Sequence, residues 1–277
     1  MPLPTASIAT VSTPKRRPQA ENATARPLTR AVTPLSSNMS GSEGHRVSRQ
    51  FVESLPRVGM FVHIPKTGGS SIREAMPAAY SRRFVWGANY ANAKCGVKRS
   101  STFHLTLDEM ERCGLHPLPG PTLCVVREPR SRFESEVRWR ATFQTWMGKD
   151  PKQHPRIMIE KCKAARRNVN DDLFEHCQPQ SAYLYRDETS KHGPGTAVCD
   201  YLLADPSSHE RLMRSILGAS VPHVNKSPHA QKWSLSKSQV KWVRDFYRRD
   251  YADPAIALAV QGKVLRRKGK GYEVIEL

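Results

Sequence analysis

The chain has 277 residues, 38% hydrophobic and 25% charged, a length and balance that suit one large domain, or two small ones, with an apolar core and exclude a wholly disordered chain. Its 44 Lys and Arg against 25 Asp and Glu give a formal charge of +19. That charge implies anionic partners (nucleic acid, anionic lipid, a polyanionic glycan or a multiply phosphorylated small molecule) without choosing among them. No run of about 18 apolar residues is present, so no transmembrane segment is expected, and no apolar signal-peptide core follows Met1.

Residues 1–50 carry many Pro, Ser and Thr, little acid and no apolar periodicity. They read as a disordered basic tail, of a composition that organelle transit peptides share. One globular domain over 51–277 follows, because no later linker is biased enough to divide it. Val58–Ile64 is a short apolar run ended by Pro65 and is predicted to be a buried strand. Gly68, Gly69, Ser70 and Ser71 make a turn, and Ile72–Met76 suits a helix. Phe84–Trp86 is another candidate strand. Leu107, Met110 and Leu115, with Asp108, Glu109 and Glu111 between them, predict a short helix after His104. Thr122–Val126 is a clear buried strand ending at Arg127, and Pro129 then suits the first turn of a helix through Phe133, Val137 and Arg140. Further helices are expected at Ser181–Leu184, at Arg211–Leu217 and from Ser236 to about Arg249, the last with Val240, Val243, Phe246 and Tyr247 on one face. Strands alternating with helices imply the α/β class, a central parallel sheet flanked by helices. Ligands of such sheets bind beyond the carboxyl ends of the strands.

Six cysteines are present, Cys95, Cys113, Cys124, Cys162, Cys177 and Cys199, and none forms a CxxC pair, which removes the support for zinc or thioredoxin-like chemistry. Cys124 lies in an apolar run and reads as a buried thiol. Cys162, Cys177 and Cys199 are candidates for a disulfide in an oxidising compartment. Asn22, Asn38 and Asn225 each open a glycosylation sequon, a pattern short enough to arise by chance.

Two segments carry chemistry. The first, His63-Ile-Pro-Lys-Thr-Gly-Gly-Ser-Ser71, joins the first strand to its helix. Two glycines let the backbone turn and approach a ligand closely, and the free N–H groups of the following helix face the loop, which makes an anion site. Thr67, Ser70 and Ser71 add hydroxyls, and Lys66 adds a mobile charge. A Walker A loop places its lysine after the glycines; here the lysine precedes them and His63 stands where the first glycine belongs. An ATP-dependent kinase therefore loses its main support, and Glu128 is its weak candidate for a magnesium carboxylate. The second segment is Thr122–Ser135. Its strand ends at Arg127, and Ser135 lies about two turns into the next helix. Arginine grips phosphate in a bidentate way and serine donates one further hydrogen bond. Arg130, Arg132, Arg138 and Arg140 read as the solvated basic face of that helix.

The order Pro-Lys-Thr-Gly-Gly-Ser-Ser resembles the 5′-phosphosulfate loop of sulfotransferases that use 3′-phosphoadenosine-5′-phosphosulfate (PAPS), and the His63–Gly69 form is similar to that of Golgi-type carbohydrate sulfotransferases. Arg127 and Ser135 resemble the family's 3′-phosphate site. The resemblance spans about residues 58–255, most securely 60–72 and 122–139. Cys177–Leu184 and Pro222–Ser227 also resemble family segments, with Gln178, Gln180, Asn225 and Ser227 as candidate polar contacts. Leu265–Gly271 faintly resembles the family's C-terminal basic segment, a solvated basic tail being the alternative.

What the resemblance implies is a P-loop-like nucleotide-binding architecture, PAPS as sulfuryl donor and no metal. Lys66, Thr67, Gly68, Gly69, Ser70 and Ser71 would hold the 5′-phosphosulfate, and Arg127 with Ser135 the 3′-phosphate. The acceptor would be a hydroxyl compound, a glycan ahead of a small alcohol, phenol or tyrosine. His104, in Ser101-Thr-Phe-His104, takes the place of the family's histidine base, joining Lys66 as a catalytic residue, while His63 braces the loop. Two departures stand out: carbohydrate sulfotransferases follow a membrane anchor, and Tyr201–Asp205 lacks the family's Arg-Phe-Glu pattern. They leave the compartment open between the Golgi lumen, an organelle addressed by the tail, and the cytoplasm. The alternatives are a P-loop-type kinase and a basic glycan- or nucleic-acid-binding protein without catalysis, the latter favoured by the charge. No nucleic-acid fold signature is present, so no specific nucleic acid is expected as partner.

Overall fold

A computed structural model of the chain describes residues 52, 54–76, 104–113, 120–168, 171, 173–222 and 233–276. The 1–50 tail, the candidate strand Phe84–Trp86, and Asn225 and Ser227 lie outside the described residues. Among the described residues five strands form one sheet in the spatial order of the chain: β1 (Met60–Val62), β2 (Thr122–Val125), β3 (Tyr201–Leu203), β4 (Val264–Lys268) and β5 (Gly271–Ile275). Met60 stands opposite Thr122, and Leu123 opposite Tyr201, so β1, β2 and β3 run parallel. β4 pairs antiparallel with β3, and β5 antiparallel with β4. The expected parallel sheet therefore holds for three strands and is corrected for two. Parallel neighbours need a crossover of a dozen or more residues, which the first three strands have. Between β4 and β5 lie only Gly269 and Lys270, Gly269 at φ 57, and so short a turn joins antiparallel strands alone. Leu265–Gly271, read as a basic tail, is most of this hairpin.

β1, β2 and β3 are buried throughout, as strands covered on both faces must be. The helices are α1 (Gly69–Ala75), α2 (Leu107–Arg112), α3 (Pro129–Phe143), α4 (His154–Ala165), α5 (Phe174–Cys177), α6 (Ser181–Leu184), α7 (Glu210–Leu217), α8 (Lys237–Phe246), α9 (Arg248–Ala252) and α10 (Pro254–Val260). One core joins the sheet to Ile72 of α1, Met110 of α2, Ile216 of α7 and Ile256 of α10. A second, helical core joins Phe133 and Val137 of α3 to Met158 and Ile159 of α4 and to Val243 and Phe246 of α8. α3 belongs to the second core but starts directly after β2 of the first, so the segment between them is fixed from both sides.

Local sequence sets the helix starts. Thr106 and Glu109 close a capping box on α2, and Ser236 and Gln239 do so on α8. The predicted helix from Ser236 to Arg249 is broken at Tyr247, which takes φ −100 and ψ 25. The break turns Asp250 inward, where its carboxylate accepts from the N–H groups of Gln180 and Ser181 at 2.8 and 2.9 Å. Cys124 is corrected from a buried thiol to a disulfide with Cys199, a bond that fastens β2 to the entry of β3. Cys162 bonds Cys177, tying α4 to α5, and Cys113 is disulfide-bonded too. Among the described residues no helix is long and apolar enough to cross a membrane.

Candidate active site

β1 gives way at His63 to a loop that leads into α1. Lys66 stands at φ 69 and Gly68 at φ 98. A lysine in the left-handed region is strained by about 1–2 kcal/mol, and strain of this kind gathers at functional sites. Gly69 has a different reason: a Cβ there would fall 2.0 Å from the His63 ring, so only glycine lets that ring pack under the loop. His63 thus has the bracing place expected of it. Thr67 donates its hydroxyl to the Ile64 carbonyl at 2.9 Å, which closes the turn. Ser70 and Ser71 are half-buried in the first turn of α1. With seven residues α1 is short, so Lys66 rather than a helix dipole is the main positive charge of the loop.

Arg127 follows β2 at the same end of the sheet. The Gln180 side chain clamps its backbone, accepting from the Arg127 N–H at 2.8 Å and donating to the Arg127 carbonyl at 2.7 Å. The Asp250 carboxylate in turn accepts from the Gln180 N–H at 2.8 Å. The Arg127 guanidinium reaches across to the Lys66 carbonyl at 3.5 Å, so the two sequence motifs meet in one place. Ser135 is half-buried on α3.

Two of the four arginines read as a solvated face are not solvated. Arg132 is 2% exposed. It donates to the carbonyls of Pro65 (2.9 Å), Gln178 (2.8 Å) and His176 (3.1 Å). It therefore pins the Lys66 loop to α5 and the residue that follows it. Arg140 is also buried and pairs with buried Glu136 at 2.6 Å. Arg130 is exposed, bonded to Glu134 at 2.8 Å. Arg132, Glu136 and Arg140 recur every four residues with alternating charge, which puts them on one helix face, but the same spacing marks a solvated face and does not say that this one turns inward. Glu128, the weak magnesium candidate, is instead the N-cap of α3. Its carboxylate accepts from the N–H groups of Ser131 (2.6 Å) and Arg130 (3.1 Å) and from the Tyr251 hydroxyl (3.0 Å).

Beside the loop lies an array of imidazoles and carboxylates that sequence reasoning found only in part. His104 is buried, 4.9 Å from His63 and 4.8 Å from His176 between ring centroids, edge-on to both. His104 Nδ1 lies 3.1 Å from the buried Glu175 carboxylate, and His176 Nδ1 lies 2.9 Å from Glu136. Lys66 Nζ rests 4.9 Å above the Trp139 ring, whose face also stacks on His176.

The electrostatics follow from burial. Desolvation pushes the Lys66 ammonium down to about 8; Glu136 opposes the shift, and Arg140, Arg127 and Arg138 add to it. Burial and then Arg138 lower Arg127. Burial drives His63 well below the usual imidazole range, with His104 and His176 adding to the effect. Burial also lowers His104, against the pull of Glu175. Burial works to raise Glu136 but is outweighed by His176, Arg140 and Lys66, which hold its carboxyl far below the usual range. The site thus places an activated lysine and an arginine beside neutral imidazole, an arrangement able to bind a multiply charged anion and to receive a proton next to it. In comparisons with known proteins, no family model, curated sequence or solved structure matches the chain.

Proposed function

We propose that the chain is a PAPS-dependent sulfotransferase that acts on an acceptor hydroxyl, a carbohydrate hydroxyl first among the candidates. The observation that carries this reading is the meeting of the Lys66 loop and Arg127 beyond the carboxyl ends of adjacent parallel strands, joined by the Arg127 contact to the Lys66 carbonyl. That is where open parallel sheets bind nucleotides. Each anchor would serve one phosphorylated position of a ligand that bears phosphates at both 5′ and 3′. Gly68, Gly69, Thr67, Ser70, Ser71 and Lys66 would surround the 5′-phosphosulfate, and Arg127 and Ser135 the 3′-phosphate.

In the reaction the acceptor oxygen attacks sulfur. The bond from sulfur to the bridging oxygen breaks, and its electron pair goes to the 5′-phosphate. The acceptor proton passes to His104, which burial keeps neutral and so able to accept it. Lys66 and the loop N–H groups stabilise charge on the leaving phosphate, so that positioning and electrostatics supply most of the catalysis. The three disulfide-bonded regions at Cys113, Cys124–Cys199 and Cys162–Cys177 support an oxidising compartment, in keeping with a Golgi-type enzyme.

The test is thermal stabilisation by the desulfated product 3′-phosphoadenosine-5′-phosphate, compared with AMP and ATP, for the wild type and Arg127→Ala. A ligand at about 100 times its dissociation constant adds roughly 2.7 kcal/mol. Stabilisation that needs both the 3′-phosphate and Arg127 is expected. An equal response to ATP with magnesium would favour a kinase, and no response to any nucleotide would favour a basic glycan-binding protein.

A further inference from the structure

α5 is only four residues long, yet it is fastened at every residue from Glu175 to Gln178. The Tyr183 hydroxyl donates to the Glu175 carbonyl at 3.0 Å. Arg132 donates to the carbonyls of His176 and Gln178. Cys177 is bonded to Cys162 of α4. The same Arg132 holds Pro65, so this mount is rigid with respect to the Lys66 loop. What the mount carries is Glu175, 1% exposed, with its carboxylate 3.1 Å from His104 Nδ1. A carboxylate has no use for a buried site unless a donor meets it there. A carboxylate on one imidazole nitrogen fixes the ring's orientation and puts its proton on that nitrogen, which leaves the lone pair on the other.

We propose that Glu175 is a positioning residue of the transfer reaction: it holds His104 by Nδ1, so that Nε2 receives the proton of the acceptor hydroxyl as the acceptor oxygen bonds to sulfur and the bridging oxygen leaves with its electron pair. This assignment rests on the sulfotransferase reading. Among the described residues, the charged and titratable groups that face His104 are His63 at the end of β1, Glu175 and His176 on α5, and Glu136 on α3. Glu136 is engaged by His176 and Arg140, and among the described residues Glu175 is the carboxylate in contact with His104. His104 imidazolium, once formed, is stabilised by Glu175 directly and by Glu136 at longer range.

The experiment combines two measurements on Glu175→Gln, a nearly isosteric change, with Glu175→Asp as the conservative partner. Long-range proton–nitrogen spectra of histidine-labelled protein read the His104 tautomer directly, assigned by the signal lost in His104→Gln. The wild type is expected to carry the proton on Nδ1; a proton on Nε2 would overturn the proposal whatever reaction the protein performs. In Glu175→Gln, kcat/KM for sulfuryl transfer is expected to fall on the order of 10²-fold. Its acidic limb should move to lower pH, because the contact that favours imidazolium is gone. Glu175→Asp is expected to recover part of the rate. Stabilisation by 3′-phosphoadenosine-5′-phosphate is expected to stay at the wild-type level, which shows that the fold and the nucleotide site survive. A wild-type rate and an unmoved acidic limb in Glu175→Gln would overturn the role. So would a stoichiometric divalent ion on the purified wild type that the variant lacks, since it would assign His104, Glu175 and His176 to a metal. Failure of the sulfotransferase reading has its own mark, a wild type that the desulfated nucleotide does not stabilise.

Discussion

Two parts of this molecule are equally basic in sequence and opposite in structure. On one face of α3 two cations are buried, Arg132 at 2% and Arg140 at 7% exposed, with Lys66 and Arg127 half-buried beside them; Arg132 donates to the Pro65, Gln178 and His176 carbonyls, and Arg140 pairs with Glu136 and lies over the Trp139 ring. On the β4–β5 hairpin the cations stand in water. Arg266 and Lys268 share Glu273 at 2.9 and 2.6 Å, and Arg267 reaches Asp200 at 2.6 Å. The charge of +19 therefore does not by itself locate function. A desolvated cation is expensive and persists where partners have been arranged for it, whereas a solvated one is nearly free.

The comparison breaks first at Lys66. If the buried cations form the transfer site, Lys66→Ala lowers the rate of sulfuryl transfer by about 10² to 10³ or more, the effect of removing one charged stabiliser of a transition state. Turnover assays with the desulfated nucleotide as a binding control check it. Near-normal turnover would place the chemistry elsewhere.

Arg132→Ala comes next and acts on stability. It strands three carbonyls that Arg132 now satisfies, at Pro65, His176 and Gln178. Hydrogen bonds to a charged group contribute roughly 1.5–3 kcal/mol each, but the bonds share one side chain and are not additive, so a loss of about 3 kcal/mol is expected. Urea unfolding measures it. A loss below about 0.5 kcal/mol would return Arg132 to the solvated face.

The sequence disclosed the parts of the fold whose signal is local. β1, β2 and α3 stood out because each apolar run is bounded by a turn or a proline, and the two loops at their ends were legible as strand-to-helix turns that carry Lys66 and Arg127. β3 did not stand out, since three apolar residues, Tyr201–Leu203, make too short a run to separate from a loop. The hairpin was hidden because three of the five residues of β4 are exposed and basic. In the site, Lys66, Arg127 and His104 were named, while Arg132, Glu136, Glu175, His176 and Trp139 were not given their places. Their neighbours come from distant segments, His104 from Glu175 and Pro65 from Arg132, and pattern within one helix carries no information on such contacts. Arg132 shows the limit most clearly: its charge is visible in sequence, but its burial depends on which way α3 faces the Lys66 loop and α5.

The pH response of Lys66 is a smaller effect with a definite sign. Burial places its value at about 8 in the free protein, and only the charged form attracts the nucleotide phosphates. Affinity for 3′-phosphoadenosine-5′-phosphate is therefore expected to hold up to about pH 8. It then falls by as much as tenfold per pH unit, until the value of Lys66 in the complex, raised by the bound anion, is reached. Calorimetric titration between about pH 7 and pH 10 reads this slope. Lys66→Arg keeps its charge throughout that range and flattens it. A wild-type slope that persists in Lys66→Arg would assign the titration to another group.

The hairpin gives the smallest effect and closes the comparison from its other side. Arg266 and Glu273 are cross-strand partners in register, and Lys268 adds a second bond to the same carboxylate. Arg266 is 45% exposed and Lys268 73%, so solvent screens both pairs. Because the two cations share one carboxylate, removing either leaves the other in place. Arg266→Ala and Lys268→Ala are each expected to change stability by less than about 1 kcal/mol and to leave the response to 3′-phosphoadenosine-5′-phosphate unchanged. Urea unfolding and the nucleotide thermal shift, run side by side on both variants, check this. If either substitution abolishes the nucleotide response, the hairpin belongs to the cofactor site, as its faint resemblance to the basic C-terminal segment of sulfotransferases would have it. Burial of charge would then no longer separate the functional cations from the rest.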